Sequence, residues 1–212
     1  MNEESFWNSR YANPDYIYGT EPNAFLAEHA ALLEGPGLSL SEGEGRNAVF
    51  LASRGLDMLG VDISAAGLEK ARNLAAARGV SISTAVADLA TYDPAADRYG
   101  TVISISAHLP SAIRNRLYPL IERALKPGGL LLLESYSENQ LARNTGGPRD
   151  ADLLMTTEKI RQELPHLEPV LLREVDREVI EGTHHTGLAS VIQFIGRRPL
   201  QRIQAPPMSS AQ

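Results

Sequence analysis

The sequence contains no cysteine, so disulfide bonds, thiolate metal ligands and cysteine nucleophiles are excluded. Its five histidines do not show the spacing of metal ligands, and we therefore expect no metal site. No apolar run reaches about 18 residues, the length that a membrane-spanning helix needs. The first residues also lack the basic and then apolar pattern of a signal peptide, which predicts a cytoplasmic protein without a membrane partner.

Basic residues are in the minority and are dispersed along the chain. There are 20 Lys and Arg against 26 Asp and Glu, a formal net charge of −6. The electrostatic pattern of a nucleic-acid-binding protein is therefore missing, and a small-molecule partner fits better. With 212 residues, 43% of them hydrophobic, the composition predicts one domain over 1–198, as a monomer or weak dimer, and a disordered tail over 199–212.

The stretch 38–48 combines a short apolar strand, a turn with two glycines and the start of a helix. Gly43 and Gly45 allow the backbone to come close to a bound molecule, and the unpaired N–H groups of the following helix can bind an anionic group. These features indicate a site for a nucleotide or nucleoside cofactor. Paired glycines are also common in ordinary turns, so the neighbouring motifs decide between the two interpretations.

Acidic residues follow the next two predicted strands. Asp62 comes 19 residues after Gly43, near the spacing at which a carboxylate accepts both hydroxyls of a ribose. The alternative is that Asp62 caps the helix that begins at Ser64. Asp88 would lie beside Asp62, where it could accept a hydrogen bond from the exocyclic amine of a base. Otherwise Asp88 is a surface turn residue.

Apolar runs that alternate with helical patterns predict the fold class. We expect an α/β, Rossmann-like open sheet of seven strands, mostly parallel with the last strand antiparallel, and helices on both faces. The last two strands form a hairpin, which would bring His184 and His185 towards the cofactor edge, and 137–150 is predicted as a substrate-side loop. The predicted strands cover 38–40, 58–62, 80–86, 99–106, 130–134, 170–180 and 188–195, and the predicted helices 21–34, 47–54, 64–78, 111–125 and 151–164.

Aromatic residues are concentrated near the N-terminus. Residues 5–20 contain the single Trp, three of the seven Tyr and one of the four Phe. We interpret residues 1–20 as an aromatic N-terminal arm. It either packs on the body of the domain or closes over a ligand as a lid.

The glycine turn, Asp62, Asp88, the turn 126–129 and the final hairpin together resemble the class I S-adenosylmethionine-dependent methyltransferases. Segments 43–48 and 60–64 are similar to the small tellurite-resistance-type branch of that family. The resemblance runs from Trp7 to Ile195. It implies S-adenosylmethionine as the cofactor and a small-molecule methyl acceptor, such as a thiol, a selenium species or a tellurium species.

The resemblance also implies the cofactor-binding positions. Gly43, Gly45 and Arg46 would bind the methionine portion of the cofactor. Asp62, with Ile63 beside it, would bind the ribose. Asp88 and Leu89 would contact the adenine, and Ser106 would lie beside the methyl donor. The first motif departs from the family pattern, because Ser39 stands where an acid is usual and Ser41 replaces the first glycine. Glu42 lies between Ser41 and Gly43 in this motif, and its carboxylate could contact the ammonium or sulfonium group of the cofactor.

In methyl transfer from a sulfonium the cofactor carries the activation, so the protein mainly orients the acceptor and, where needed, provides a base. His108, just past the fourth strand, and His185, in the hairpin, are the catalytic candidates, since a neutral imidazole suits that task. A soft nucleophile would need no base and would leave both histidines as binders. The ordinary alternative for His108 is packing at a helix start.

Two other functions use the same elements. A nicotinamide-dependent oxidoreductase shares the strand, turn and ribose acid, but Ala48 stands where the third glycine of G-x-G-x-x-G is usual, a permitted variant. A non-catalytic module that binds S-adenosylmethionine or S-adenosylhomocysteine is the other alternative, because the first motif is altered.

Overall fold

The structure, a computed structural model, describes residues 2–143, 145–181 and 185–200, without the side chains of residues 181, 185 and 186. His184 and most of the tail predicted to be disordered, from residue 201 onwards, lie outside these ranges.

Seven strands form one mixed sheet in the order β3-β2-β1-β4-β5-β7-β6. Strand β7 is antiparallel to both of its neighbours, and the pairs among β1 to β5 are parallel. The predicted fold class is thereby confirmed. The strands are β1 Gly37–Leu40, β2 Met58–Asp62, β3 Ser83–Val86, β4 Tyr99–Ile105, β5 Leu125–Tyr136, β6 Glu168–Glu181 and β7 His185–Arg197.

Helices cover both faces of this sheet because its central strands are apolar on both sides. Along β5, Leu131 and Leu133 pack with the helices α5 and α6, whereas Leu130 and Leu132 point to the opposite core with α2 and α3. The helices are α1 Glu3–Tyr11, α2 Ala24–His29, α3 Arg46–Ser53, α4 Ala65–Ala77, α5 Ser111–Ala124 and α6 Thr157–Glu163, with 3₁₀ turns at Ala30–Leu32, Glu138–Ala142 and Ala151–Leu153. In the described part of the chain, no helix combines the length and apolarity needed to span a membrane.

The prediction of one helix over 151–164 was wrong. Only a 3₁₀ turn forms at the start of that segment, the chain then becomes extended, and α6 begins at Thr157. Tertiary contacts explain this difference, because Leu154 and Met155 are buried and Met155 forms a parallel bridge with Ser137. Thr156 then caps α6 by accepting a hydrogen bond from the Lys159 amide at 3.1 Å.

Several predicted boundaries also shift. Strand β3 begins at Ser83 rather than at residue 80, and α2 begins at Ala24, because Asn23 provides the N-cap. Strand β5 is longer at both ends than 130–134, since it pairs with β4 on one side and with β7 on the other. These changes leave the number of strands and their mostly parallel arrangement as predicted.

Candidate active site

A cavity of about 740 Å³ lies at the carboxyl ends of β1 to β4. In open α/β sheets this edge is where ligands bind. Its walls come from α1, the turn after β1, the residues that follow β2, β3 and β4, and the segment 147–153. The predicted site residues that line it are Glu42, Gly43, Arg46, Asp62, Ile63, Asp88, Leu89, Ser106 and His108.

Gly45, which we expected to contact the cofactor, is not among the residues that line this cavity. Its φ of +98° is one that side chains disfavour, and a Cβ at this position would lie 2.6 Å from Cα and 2.7 Å from Cβ of Ala71 in α4. Gly45 therefore lets the start of α3 pack against α4. The glycine is required by helix packing.

Ser41, the unusual residue of the first motif, lines the cavity with a φ of +50°. Non-glycine residues in this region carry a strain of about 1 kcal/mol or more. Ser106, at the end of β4, lines the same cavity with a φ of +55°. Two strained serines therefore face one site, and the backbone at position 41 keeps the conformation that a glycine would adopt there.

The Asp62 carboxylate links the glycine turn to the start of α4. It accepts hydrogen bonds from the backbone amides of Gly43 and Ser64, each at 2.8 Å. Burial raises the pKa of Asp62, and these two amides oppose that shift. Helix capping is done by Ser64, whose side chain accepts from the Gly67 amide at 3.1 Å. Carboxylate oxygens accept more than one hydrogen bond each, so the Asp62 carboxylate retains acceptor capacity for a ligand.

Asp88 has an exposed side chain on the cavity wall and accepts a hydrogen bond from the Ala90 amide at 2.8 Å. It therefore has the contact of a turn residue and, at the same time, the location of a ligand-binding one. Because Asp62 pairs with Val86 across the β2–β3 ladder, the two acids follow neighbouring strand ends. Leu89, buried beside Asp88, adds an apolar surface to the same wall.

Glu42 is buried, and its carboxylate folds back onto its own motif. Ser39 donates a hydrogen bond to one carboxylate oxygen, and the Ala48 amide of α3 donates to the other at 2.9 Å. Burial raises the pKa of Glu42 from its ordinary 4.5 to about 7, and the nearby Asp62 adds to the shift while Arg46 opposes it. The carboxylate of Glu42 therefore lies next to Ser39, and position 39 is where the family pattern has an acid.

We expect the raised pKa of Glu42 to make folding stability depend on pH. The folded state binds this proton more tightly than the unfolded state, so the contribution is complete at low pH and is lost as pH rises through about 7. Relative to the Glu42→Gln variant, the parent protein should lose about 2 kcal/mol of unfolding free energy between pH 5 and pH 8. Urea unfolding of both proteins at pH 5 and pH 8 measures this loss of unfolding free energy. Other groups, such as Asp62, titrate in both proteins, so their effect largely cancels in the comparison. Equal losses of unfolding free energy in the parent protein and the variant would contradict the expectation.

The N-terminal arm is helical over α1 and forms one wall of the cavity. Asn8 accepts hydrogen bonds from the Ser64 hydroxyl at 2.7 Å and from the Ala66 amide at 3.2 Å, which dock α1 on the start of α4. Trp7 stacks on Tyr11 with ring centroids 5.5 Å apart, and both rings line the cavity. The arm therefore packs on the domain and lines the cavity, as in the first of the two alternatives.

The segment after α1 is tied to the glycine turn. Lys70 of α4 forms an ion pair with the buried Glu44 and donates to the backbone carbonyls of Asn13 and Asp15. Glu44 also accepts from the Tyr18 amide at 3.2 Å. These contacts hold residues 13–18 against the turn that lines the cavity.

His108 lies on the cavity wall just past β4, as predicted. Its ring stacks on Tyr136, with centroids 5.3 Å apart and an interplanar angle of 13°, and its Nδ1 is 3.3 Å from the Ser135 hydroxyl. Both partners lie near the end of β5, so this strand orients the imidazole. The other candidate, His185, begins β7 opposite Glu181, and its side chain lies outside the described residues.

A buried charged cluster next to this wall was not found from the sequence. Glu134 of β5 accepts hydrogen bonds from Arg177 at 2.5 Å, from Gln193 at 2.6 Å and from Asn23 at 2.7 Å. Its backbone carbonyl accepts from the Ser106 amide at 2.8 Å. The one signal in the sequence was an acid directly after four leucines of a buried strand, a position where a charge needs a partner. No group of His, Asp or Glu that could hold a metal occurs among the described side chains.

The fold and the site combine a seven-stranded sheet that has an antiparallel seventh strand with a glycine turn after β1, Asp62 at the end of β2 and Asp88 after β3. Residues 38–129 match a family model described as a methyltransferase domain. This region runs from β1 into β5. It includes every predicted cofactor-binding residue.

Among curated proteins, the chain is similar to a 2-heptyl-1-hydroxyquinolin-4(1H)-one methyltransferase from Mycobacteroides abscessus, with 26% identity over 141 residues. The match covers 65% of this chain and 62% of that relative, so the chain spans less than two thirds of the relative's length.

The fold is also found in solved structures. One, described as "Conversion of a Disulfide Bond into a Thioacetal Group during Echinomycin Biosynthesis", has a TM-score of 0.77 at 21% identity and 95% coverage of both chains. The N-methyltransferase NodS from Bradyrhizobium japonicum in complex with S-adenosyl-L-homocysteine has a TM-score of 0.67 at 17% identity, covering 94% of this chain and 100% of that chain. TehB from Haemophilus influenzae has a TM-score of 0.67 at 13% identity, and the match covers 93% of this chain and 68% of the TehB chain. At these identities the likeness is one of fold.

Proposed function

We propose that this protein is an S-adenosylmethionine-dependent methyltransferase that acts on a small molecule. One observation carries the proposal. The Asp62 carboxylate at the end of β2 is held by the Gly43 amide of the glycine turn, so that a ribose acceptor and a close backbone approach form one unit on the cavity wall. The match of residues 38–129 to a methyltransferase domain supports it.

In this proposal the cofactor lies along the ends of β1, β2 and β3. Asp62 accepts the ribose hydroxyls, and Asp88 with Leu89 contacts the adenine. Gly43, Arg46 and Glu42 would hold the methionine portion, and Ser106, directly after β4, would lie beside the methyl donor. Each of these residues lines the cavity. Gly45 supports the turn from behind, through its packing on Ala71.

The bound cofactor supplies an electrophilic methyl group, and the protein orients the acceptor against it. His108, held by Tyr136 and Ser135, would accept the proton of a hydroxyl acceptor on its imidazole ring. A thiol, selenium or tellurium acceptor would use His108 as a contact only. One relative is described as a methyltransferase of a hydroxyquinolinone, so we include hydroxylated ring compounds among the proposed acceptors.

We also propose one domain over residues 1–198, since the sheet is continuous from β3 to β6 and α1 docks on α4.

Isothermal titration with S-adenosylhomocysteine tests the proposal. We expect binding in the micromolar range, and we expect methylated product from S-adenosylmethionine with at least one member of a panel of thiols, selenite, tellurite, phenols and hydroxyquinolines, detected by mass spectrometry. Binding without any product would favour the non-catalytic module. Binding of NADH in place of S-adenosylhomocysteine would contradict the proposal and favour an oxidoreductase.

A further inference from the structure

Charge is distributed unevenly around the cavity. The charged residues that line it belong to α1, to the turn after β1 and to the residues that follow β2 and β3. Past β4 and β5, the wall contains only neutral side chains among the described residues. They are Ser106, Ala107, His108, Leu109, Ile113, Gly147, Pro148 and Leu153.

Among the described residues, two cations line the cavity, and neither belongs to this neutral wall. The guanidinium of Arg10 donates to the Tyr18 hydroxyl at 2.8 Å and lies over the ring of Phe6, 4.9 Å from its centroid. Arg46 begins α3 and interacts electrostatically with Glu42. An anionic acceptor on the neutral wall would therefore lose its hydration without gaining a cationic partner, which is costly.

The same wall offers apolar surface and flat rings. Ile113 and Leu153 are half-buried on two segments of the wall, so a ligand that contacts both would bury apolar area, at about 25 cal/mol per Å². The imidazole of His108 is held in a fixed plane by its stacking on Tyr136. The rings of Phe6 and Trp7 also line the cavity, but they belong to α1, where the Arg10 guanidinium lies over both. Such surfaces favour planar aromatic ligands.

Resting on the proposed function, we infer that the methyl acceptor is an uncharged, largely apolar ring compound, bound between segments 107–113 and 147–153. Inorganic oxyanions such as tellurite, and anionic metabolites, are disfavoured acceptors. Among the described residues, Ser106 and His108 are the polar side chains on this wall that can hydrogen-bond to the acceptor atom.

Two probes with one carbon skeleton test the inference on the protein saturated with S-adenosylhomocysteine. By isothermal titration, 2-naphthol should bind at least about 10-fold more tightly than naphthalene-2-sulfonate, and tellurite should not bind in the millimolar range. Equal or tighter binding of the sulfonate, binding of tellurite, or no binding of 2-naphthol would each overturn the inference.

A charge introduced on the neutral wall should reverse this preference. Leu153→Lys is expected to shift the affinity ratio of the two probes by at least about 10-fold towards the sulfonate. Leu32→Lys makes the same chemical change at a half-exposed position that does not line the cavity, and it should leave the ratio unchanged. An unchanged ratio in Leu153→Lys would overturn the placement of the acceptor.

The affinity for S-adenosylhomocysteine separates the two proposals. If the parent protein does not bind it, the proposed function fails and this inference fails with it. If the parent protein and both variants bind it equally but the probe preferences are absent, only the acceptor class is wrong.

Discussion

Replacing Asp62 with alanine is expected to weaken the binding of S-adenosylhomocysteine by a factor of about 100 or more. In the proposed complex this carboxylate accepts hydrogen bonds from both ribose hydroxyls, and a hydrogen bond to a charged group contributes about 1.5–3 kcal/mol. Losing two of them corresponds to about 3 kcal/mol or more, hence the factor of about 100. Isothermal titration of the parent protein and the variant at pH 7 measures it.

Asp57→Ala is the matched control for this experiment. Asp57 precedes β2 at the opposite end of the strand and is exposed, so the variant removes an equal charge away from the cavity. Since Asp62 also accepts from the Gly43 and Ser64 amides, the alanine variant should be checked for folding by circular dichroism. Asp62→Asn, which keeps the size and one acceptor oxygen, provides a second test. Parent-like affinity in a folded Asp62 variant would show that the ribose assignment is wrong.

Replacing Arg177 with methionine is expected to lower the free energy of unfolding by about 3–5 kcal/mol. The Glu134 carboxylate, 3% exposed, would keep only the neutral donors Asn23 and Gln193. Removing one partner of a buried ion pair leaves a desolvated charge, which is the costly case. For a chain of this length the loss corresponds to a fall in melting temperature of roughly 10 °C. Calorimetry and urea unfolding measure the two quantities.

Arg173→Met serves as the control on the same strand. Arg173 is an exposed residue whose guanidinium donates to the neutral side-chain amide of Gln193 at 2.8 Å, so its loss should cost about 1 kcal/mol, clearly less than the loss of Arg177. Adding Glu134→Leu to Arg177→Met should recover much of the lost stability, because the buried charge is then gone. If Arg177→Met and Arg173→Met have the same effect, the ion pair contributes nothing specific.

The order and type of the main elements were predictable because they depend on local patterns. Continuous apolar runs such as 58–62 indicate strands buried on both faces, and the alternating helices require parallel crossovers. Once the topology is parallel, the residues after β1, β2 and β4 must meet at one edge. For this reason Gly43 and Asp62 could be placed at one site from the sequence, whereas the family resemblance added Ser106.

Local patterns did not predict the parts of the site that depend on distant residues. The role of Gly45 depends on Ala71 in another helix, and the helix predicted over 151–164 is interrupted because Met155 bridges to Ser137. Asn23 and Glu134, which form one hydrogen bond, are 111 residues apart in the chain.

By itself, the sequence determined the class of fold, the edge of the sheet at which the cavity lies and nine of the residues that line it, since periodicity and turn chemistry act within a few residues. Only the tertiary structure decided that the aromatic arm is a helix over the cavity, that Glu42 folds back onto Ser39, and that the wall beyond β4 is neutral. These properties arise when segments far apart in the chain are brought together, and burial then sets which charges remain and what each of them contacts.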